Sequence, residues 1–264
     1  MIRIFLRYLG RRLAIYLSQP VAGGTTALPA EKKALMSCLQ PGDVLLVESH
    51  TRVATAIKYL TQSMWSHAAL YVGPELGGED AHNEPYLFIE ADVLDGVCKR
   101  TLSAYDGLHT RVCRPRHLHP EDLGRLIHSV QSKLGYRYDL KNVFDLMRYL
   151  LPLPPVPTRW RRPLISLGSG DPTQAICSSL IAQAFQEIGY PVLPVVTQAL
   201  VRTGRHRRQI RELFHIRHHS LYVPRDFDVS PYFEIIKPAL HQDFDYRQLR
   251  WEVSVSSWVV GSEF

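Results

Sequence analysis

Cysteine is scarce in this chain: Cys38, Cys98, Cys113 and Cys177 are the four among 264 residues, and no two of them are close together. That sparseness excludes a disulfide scaffold and favours a reducing, cytoplasmic compartment, which would also keep each thiol free. Cys98, Cys113, His117 and His119 are spaced far more widely than a zinc knuckle needs. His215, His218 and His219 have no acid or cysteine at ligand spacing, so no metal and no cofactor is expected. Long apolar runs are missing too. The richest candidate, Met1 to Leu17, is interrupted by Arg3, Arg7, Arg11 and Arg12, which excludes a transmembrane span. No internal repeat is visible, and there is little low-complexity sequence.

With 45% hydrophobic residues, the chain can bury a full core and suits one elaborated domain better than two. We place that domain at 36–264, after an N-terminal helix and linker over 1–35. Arg3, Arg7 and Arg11 recur every fourth residue, giving a basic stripe on a helix whose other faces carry Ile4, Phe5, Leu6, Leu9, Leu13 and Leu17. Residues 2–17 therefore suit peripheral contact with an anionic membrane, at the inner face of the cytoplasmic compartment. A helix docked on its own domain fits the pattern as well, and a secretory signal fits it least. Residues 18–35, with Gly23, Gly24, Thr25 and Thr26, read as a linker. The net charge of +6 and the cluster Arg202, Arg205, Arg207, Arg208 and Arg211 could meet phosphate. No nucleic-acid motif or interleaved aromatic accompanies that cluster, which ranks nucleic acid below anionic lipid or plain solvation.

Periodicity predicts strands at 43–48, 68–73, 86–91 and 96–102 and helices at 52–62, 121–133, 141–150 and 178–188, an α+β pattern. Pro152, Pro154, Pro155 and Pro157, then Arg159, Arg161, Arg162 and Pro163, then Gly168 and Gly170, mark a long irregular insertion just before Cys177. It reads as a flap over a groove or as a tolerated surface loop. Asp139 reads as the cap of the helix that follows it.

Cys177 has the strongest chemical context. Leu180, Ile181, Ala184, Phe185 and Ile188 follow it at helical spacing, and Gly189 and Pro191 end the run, which puts Cys177 at or just before the first turn. Free backbone N–H groups and the helix dipole favour a thiolate there. Ser178 and Ser179 read as capping residues of that turn rather than as nucleophiles. A thiolate nucleophile needs a base, and His67, which opens the apolar run Ala68 to Val72, is the best candidate. Glu90 ends another apolar run, where an unpaired carboxylate is costly. If the two strands pair, Glu90 can hold the far nitrogen of the His67 ring while the near one faces Cys177. Asp92 would share Glu90's face and competes for that role.

The order His, Glu, Cys, with the phrases Pro41-Gly42-Asp43-Val44-Leu45-Leu46, Ser66-His67-Ala68-Ala69-Leu70-Tyr71-Val72-Gly73, Ile89-Glu90-Ala91, Gly96-Val97, Tyr138-Asp139 and Val223 to Phe233, resembles the YaeF/YiiX group of permuted papain-like amidases, relatives of the NlpC-type hydrolases. The resemblance covers roughly residues 40 to 237. It implies a circularly permuted papain-like fold with a small antiparallel sheet packed on helices. It also implies Cys177 as nucleophile, His67 as general base and acid, and Glu90 as the residue orienting His67. The expected function is a cysteine hydrolase of amidase or peptidase type, acting on a peptide or acyl-amide substrate through a Cys177 thioester. The alternatives are a phospholipid acyl hydrolase or acyltransferase of the same architecture, and a catalytically silent, membrane-associated binding module.

Overall fold

The computed structural model describes residues 12, 15–16, 18–20, 32–92, 94–136, 177–203, 207–215 and 217–237. In chain order the elements are α1 (Lys32–Cys38), β1 (Val44–Glu48), α2 (Arg52–Thr61), β2 (His67–Tyr71), β3 (Tyr86–Asp92), β4 (Gly96–Thr101) and β5 (His109–Pro115). Then follow α3 (Pro120–Gln131), α4 (Cys177–Glu187), β6 (Val195–Thr203), β7 (Arg207–His215), α5 (Pro224–Asp228) and β8 (Phe233–Ile236). Six strands form one open antiparallel sheet in the order β4-β3-β2-β1-β5-β8, and β6 and β7 form a separate hairpin. The protein is α+β.

Side chains alternate across a strand, and here both faces of the sheet are covered. All five residues of the central β1 are buried. Val44 and Leu46 belong to a core with Leu180, Ile181 and Phe185 of α4 and Leu126 and Val130 of α3. Leu45 and Val47 face the other way, into a second core with Leu35 and Leu39 from the α1 side and with Tyr71, Phe88 and Tyr105. Each large aliphatic or aromatic side chain buried in this way contributes about 1.5–3 kcal/mol. Helix α2 starts where Thr51 Oγ1 accepts from the Ala54 N–H at 3.2 Å, and it stops at Gln62, whose φ of 51° leaves the helical region.

The strands expected at 43–48, 68–73, 86–91 and 96–102 and the helices expected at 52–62, 121–133 and 178–188 are present with ends shifted by a residue or two. Two of these shifts matter: His67 is the first residue of β2, and Cys177 is the first residue of α4. β5 and β8 were not expected. β5 reads His-Thr-Arg-Val-Cys-Arg-Pro, and its arginines sit in a sheet because Arg111 pairs with Asp228 and Arg114 with Asp43. The linker reading of 18–35 differs at both ends. Helix α1 begins at Lys32 and buries Leu35. Farther upstream, the Arg52 N–H donates to the Gln19 carbonyl at 3.1 Å, Pro20 bridges to Thr51, and the Arg52 guanidinium lies 4.2 Å from the Tyr16 ring centroid.

The capping role read for Ser178 and Ser179 is corrected. Both follow the first helical residue, too late to cap it. Ser178 Oγ instead donates to the Tyr222 carbonyl at 2.8 Å, and Ser179 Oγ is buried with no partner among the described residues. Arg202, Arg207, Arg208 and Arg211 fall on the β6–β7 hairpin, with Arg202 opposite Arg208 in register. The helix expected at 141–150, Asp139 and the insertion at 152–170 lie outside the described residues. So does most of 2–17. No described helix is long and apolar enough to cross a membrane.

Candidate active site

Strand register brings the two expected polar residues together. Ala69 pairs with Glu90, so His67, two residues earlier on β2, shares Glu90's face at the diagonal position. Their side chains meet, with His67 Nε2 2.8 Å from Glu90 Oε2. Cys177 arrives from the other side of the sheet. α4 packs on β2 and β3 through the first core, and its N-terminal residue lines the same cleft as His67 and Glu90. Cys177 lies beside the His67 ring, near enough for its sulfur to act on the charge of the imidazole. Because Glu90 holds Nε2, the ring nitrogen left over is Nδ1.

Asp92, the other acid considered for holding His67, has a different partner set. Its Oδ1 accepts from the N–H groups of Leu94 at 2.7 Å and Asp95 at 3.1 Å, which closes the turn between β3 and β4. The imidazole is bonded to Glu90.

Glu90 is 5% exposed and fully engaged. Arg100 Nε donates to Oε1 at 2.8 Å, and the Tyr105 hydroxyl donates to Oε2 at 2.7 Å. Burial favours the protonated acid, but the charge and hydrogen bond of His67, together with Arg100 and Tyr105, outweigh it and hold the Glu90 pKa down to about 2. For His67, burial works against the charged ring. The neighbouring Cys177 sulfur and the Glu90 carboxylate bonded to the ring nevertheless raise its pKa well above the ordinary value. Burial pushes Cys98 up to about 12, and it raises Cys113 further and Cys38 as well.

Sequence reasoning passed over Arg100 and Tyr105. A signal existed for Arg100: Cys98 pairs with Glu90, so the residue two places on lies on Glu90's face of β4. Tyr105 closes the short turn Leu102–Tyr105, where no periodicity marks it.

The cleft holds about 350 Å³. Its lining is part apolar, with Val53, Ala54 and Ile57 of α2 and Val47 and Leu108, and part charged, with Asp92, Asp95 and Arg100. Among the lining residues, Ser66 Oγ accepts from the Ser49 N–H at 2.9 Å and tethers the chain end of β1. Such a site can hold an acyl group against a nucleophile and a base. Cys98 and Cys113 lie four strand positions apart in the sheet, about 19 Å, too far to share a metal ion. Among the described residues no three His, Cys, Asp or Glu side chains come together as a ligand set.

No protein-family model and no curated protein matches the sequence. Among solved structures, the chain is similar to the crystal structure of the metalloprotein YiiX from Escherichia coli O157:H7, at 15% identity and a TM-score of 0.35, over 75% of this chain and 96% of that one.

Proposed function

We propose that this protein is a thiol-dependent hydrolase of amidase or peptidase type, built on a circularly permuted papain-like fold. The observation that carries this reading is one cleft that holds the His67 ring, bonded to the Glu90 carboxylate, together with Cys177, whose sulfur acts on the charge of that ring. In the reaction His67 takes the Cys177 proton and the sulfur attacks the acyl carbon. The carbonyl oxygen becomes an oxyanion held by the Cys177 backbone N–H and one further donor. The imidazolium then protonates the leaving amine as the tetrahedral intermediate collapses to a thioester. Water, deprotonated by His67, attacks that thioester and returns the free thiol and the acid. Glu90 keeps the ring oriented and stabilises its charged form.

The apolar lining residues Val53, Ala54, Ile57 and Leu108 favour a second reading, in which the acyl group comes from a lipid and the acceptor is water or an alcohol. Residues 2–17 would then serve as the membrane contact.

The test is alkylation by iodoacetamide, read by mass spectrometry at each of the four cysteines. Cys177 should react fastest at neutral pH, and His67→Ala should remove that advantage. An alkylation rate at Cys177 that ignores His67 would sink the enzyme reading and favour the binding module. Turnover of a peptide library or of phospholipid vesicles by the wild-type protein, lost in Cys177→Ser, then separates amide from lipid.

A further inference from the structure

We infer that Tyr105 is a positioning residue of the site: its hydroxyl shares Glu90 Oε2 with His67 Nε2, and so fixes where that oxygen sits and which way the imidazole points. The inference rests on the reading of His67 as the base of Cys177. Glu90 has two oxygens and three side-chain donors. Arg100 Nε takes Oε1 at 2.8 Å, and Tyr105 and His67 converge on Oε2 at 2.7 and 2.8 Å. With both oxygens pinned, the carboxylate cannot rotate away from the ring. Arg100 is itself held, since its second nitrogen donates to Asp95 at 2.8 Å in the turn that Asp92 closes.

Packing alone does not require a tyrosine here. Tyr105 is 6% exposed, and its ring meets Phe88 edge-on at 5.1 Å, a contact that a phenylalanine would make equally well. A buried hydroxyl is costly unless it is bonded, and the partner of this one is Glu90. Burial and the neighbouring carboxylate raise the Tyr105 pKa well above its ordinary value, so the O–H remains a donor throughout the neutral range. The ionisable groups around Glu90 are His67 on β2, Asp92 at the end of β3, Asp95 in the turn before β4, Cys98 and Arg100 on β4, Tyr105, and Cys177 on α4. Among them Tyr105 is the one that can be changed by a single oxygen without altering charge.

Removing that oxygen has two consequences with opposite signs of charge. Glu90 loses a donor to its ionised form and takes a proton at a higher pH, and the loosened carboxylate stabilises the imidazolium less. Tyr105→Phe should therefore lower the Cys177 alkylation rate by iodoacetamide roughly tenfold at pH 5, the size of one hydrogen bond to a charged group. The loss should be smaller at pH 8. The His67 ring titration followed by NMR should move to lower pH. In a Glu90→Gln background the same substitution should change neither readout further. Wild-type curves in Tyr105→Phe, a loss equal at every pH, or effects that add in the Glu90→Gln background would each overturn the inference. Failure of the hydrolase reading appears separately, as wild-type Cys177 reactivity that His67→Ala leaves unchanged.

Discussion

The indole N–H of Trp65 donates to Asp228 Oδ2 at 3.0 Å, joining the residue that leads into β2 to the end of α5. Arg111 reaches the other oxygen at 2.6 Å, and its guanidinium lies 4.9 Å from the Trp65 ring centroid. Trp65 is 1% exposed, so loss of the carboxylate would leave a buried N–H and a guanidinium without their acceptor. Asp228→Ala should destabilise the fold by about 2–3 kcal/mol, read as a lowered urea midpoint with unchanged slope.

Glu90 and His67 make stability depend on pH in opposite directions. Glu90 falls from 4.5 to about 2 on folding, so its contribution is complete above pH 4.5 and is lost as the pH drops toward 2. That shift corresponds to a loss on the order of 3 kcal/mol. His67 is raised from 6.5, so its contribution is complete below pH 6.5 and is lost as the pH climbs through the raised value. The part of the His67 rise that comes from Glu90 is the same ion pair seen from its other end and is counted once; Cys177 contributes the rest. In urea titrations, Glu90→Gln should be less stable than wild type at pH 6 and should lose less between pH 4.5 and 2.

Ser178, buried beside the candidate nucleophile, ties α4 to the segment before α5 through the Tyr222 carbonyl. Ser178→Ala leaves that carbonyl without its donor inside the core. Thermal melts should show a cost of about 1–2 kcal/mol.

Gly42 precedes β1 with φ at +93°, and its N–H donates to the Tyr71 carbonyl at 2.9 Å. A Cβ there would stand 2.8 Å from Leu123 Cδ1, at the tip of a side chain that can give way. The backbone conformation sets most of the cost, and Gly42→Ala should destabilise by about 1–3 kcal/mol in denaturant titration.

The candidate site was more legible in the sequence than the sheet that carries it. His67 and Glu90 stood out because each is a polar residue bounding an apolar run, and the pairing of β2 with β3 puts them on one face. Cys177 stood out because helical spacing begins just after it. Glu90 and Asp92 could not be separated from sequence, since both occupy the same face of one strand. What separates them is the turn after β3, whose backbone N–H groups engage Asp92. β5 went unread because its arginines are neutralised by partners far along the chain, such as Asp43 for Arg114, and β8 because it is only four residues long. Local pattern carries no trace of such pairing. Tyr105 was hidden for a related reason: its role depends on a fold-back after β4 that no periodicity encodes.

The sheet order also sets a timetable. Val112 pairs with Ile236, so β5 has an open edge until the chain has been made past β8. The half carrying His67 and Glu90 leaves the ribosome long before α4 does, and the last strand comes later still. Contacts this distant in sequence form slowly, on the millisecond-to-second scale of non-local β topologies. During that interval the unpaired edge of β5 is the place where a nascent chain can join another, and where a chaperone would act.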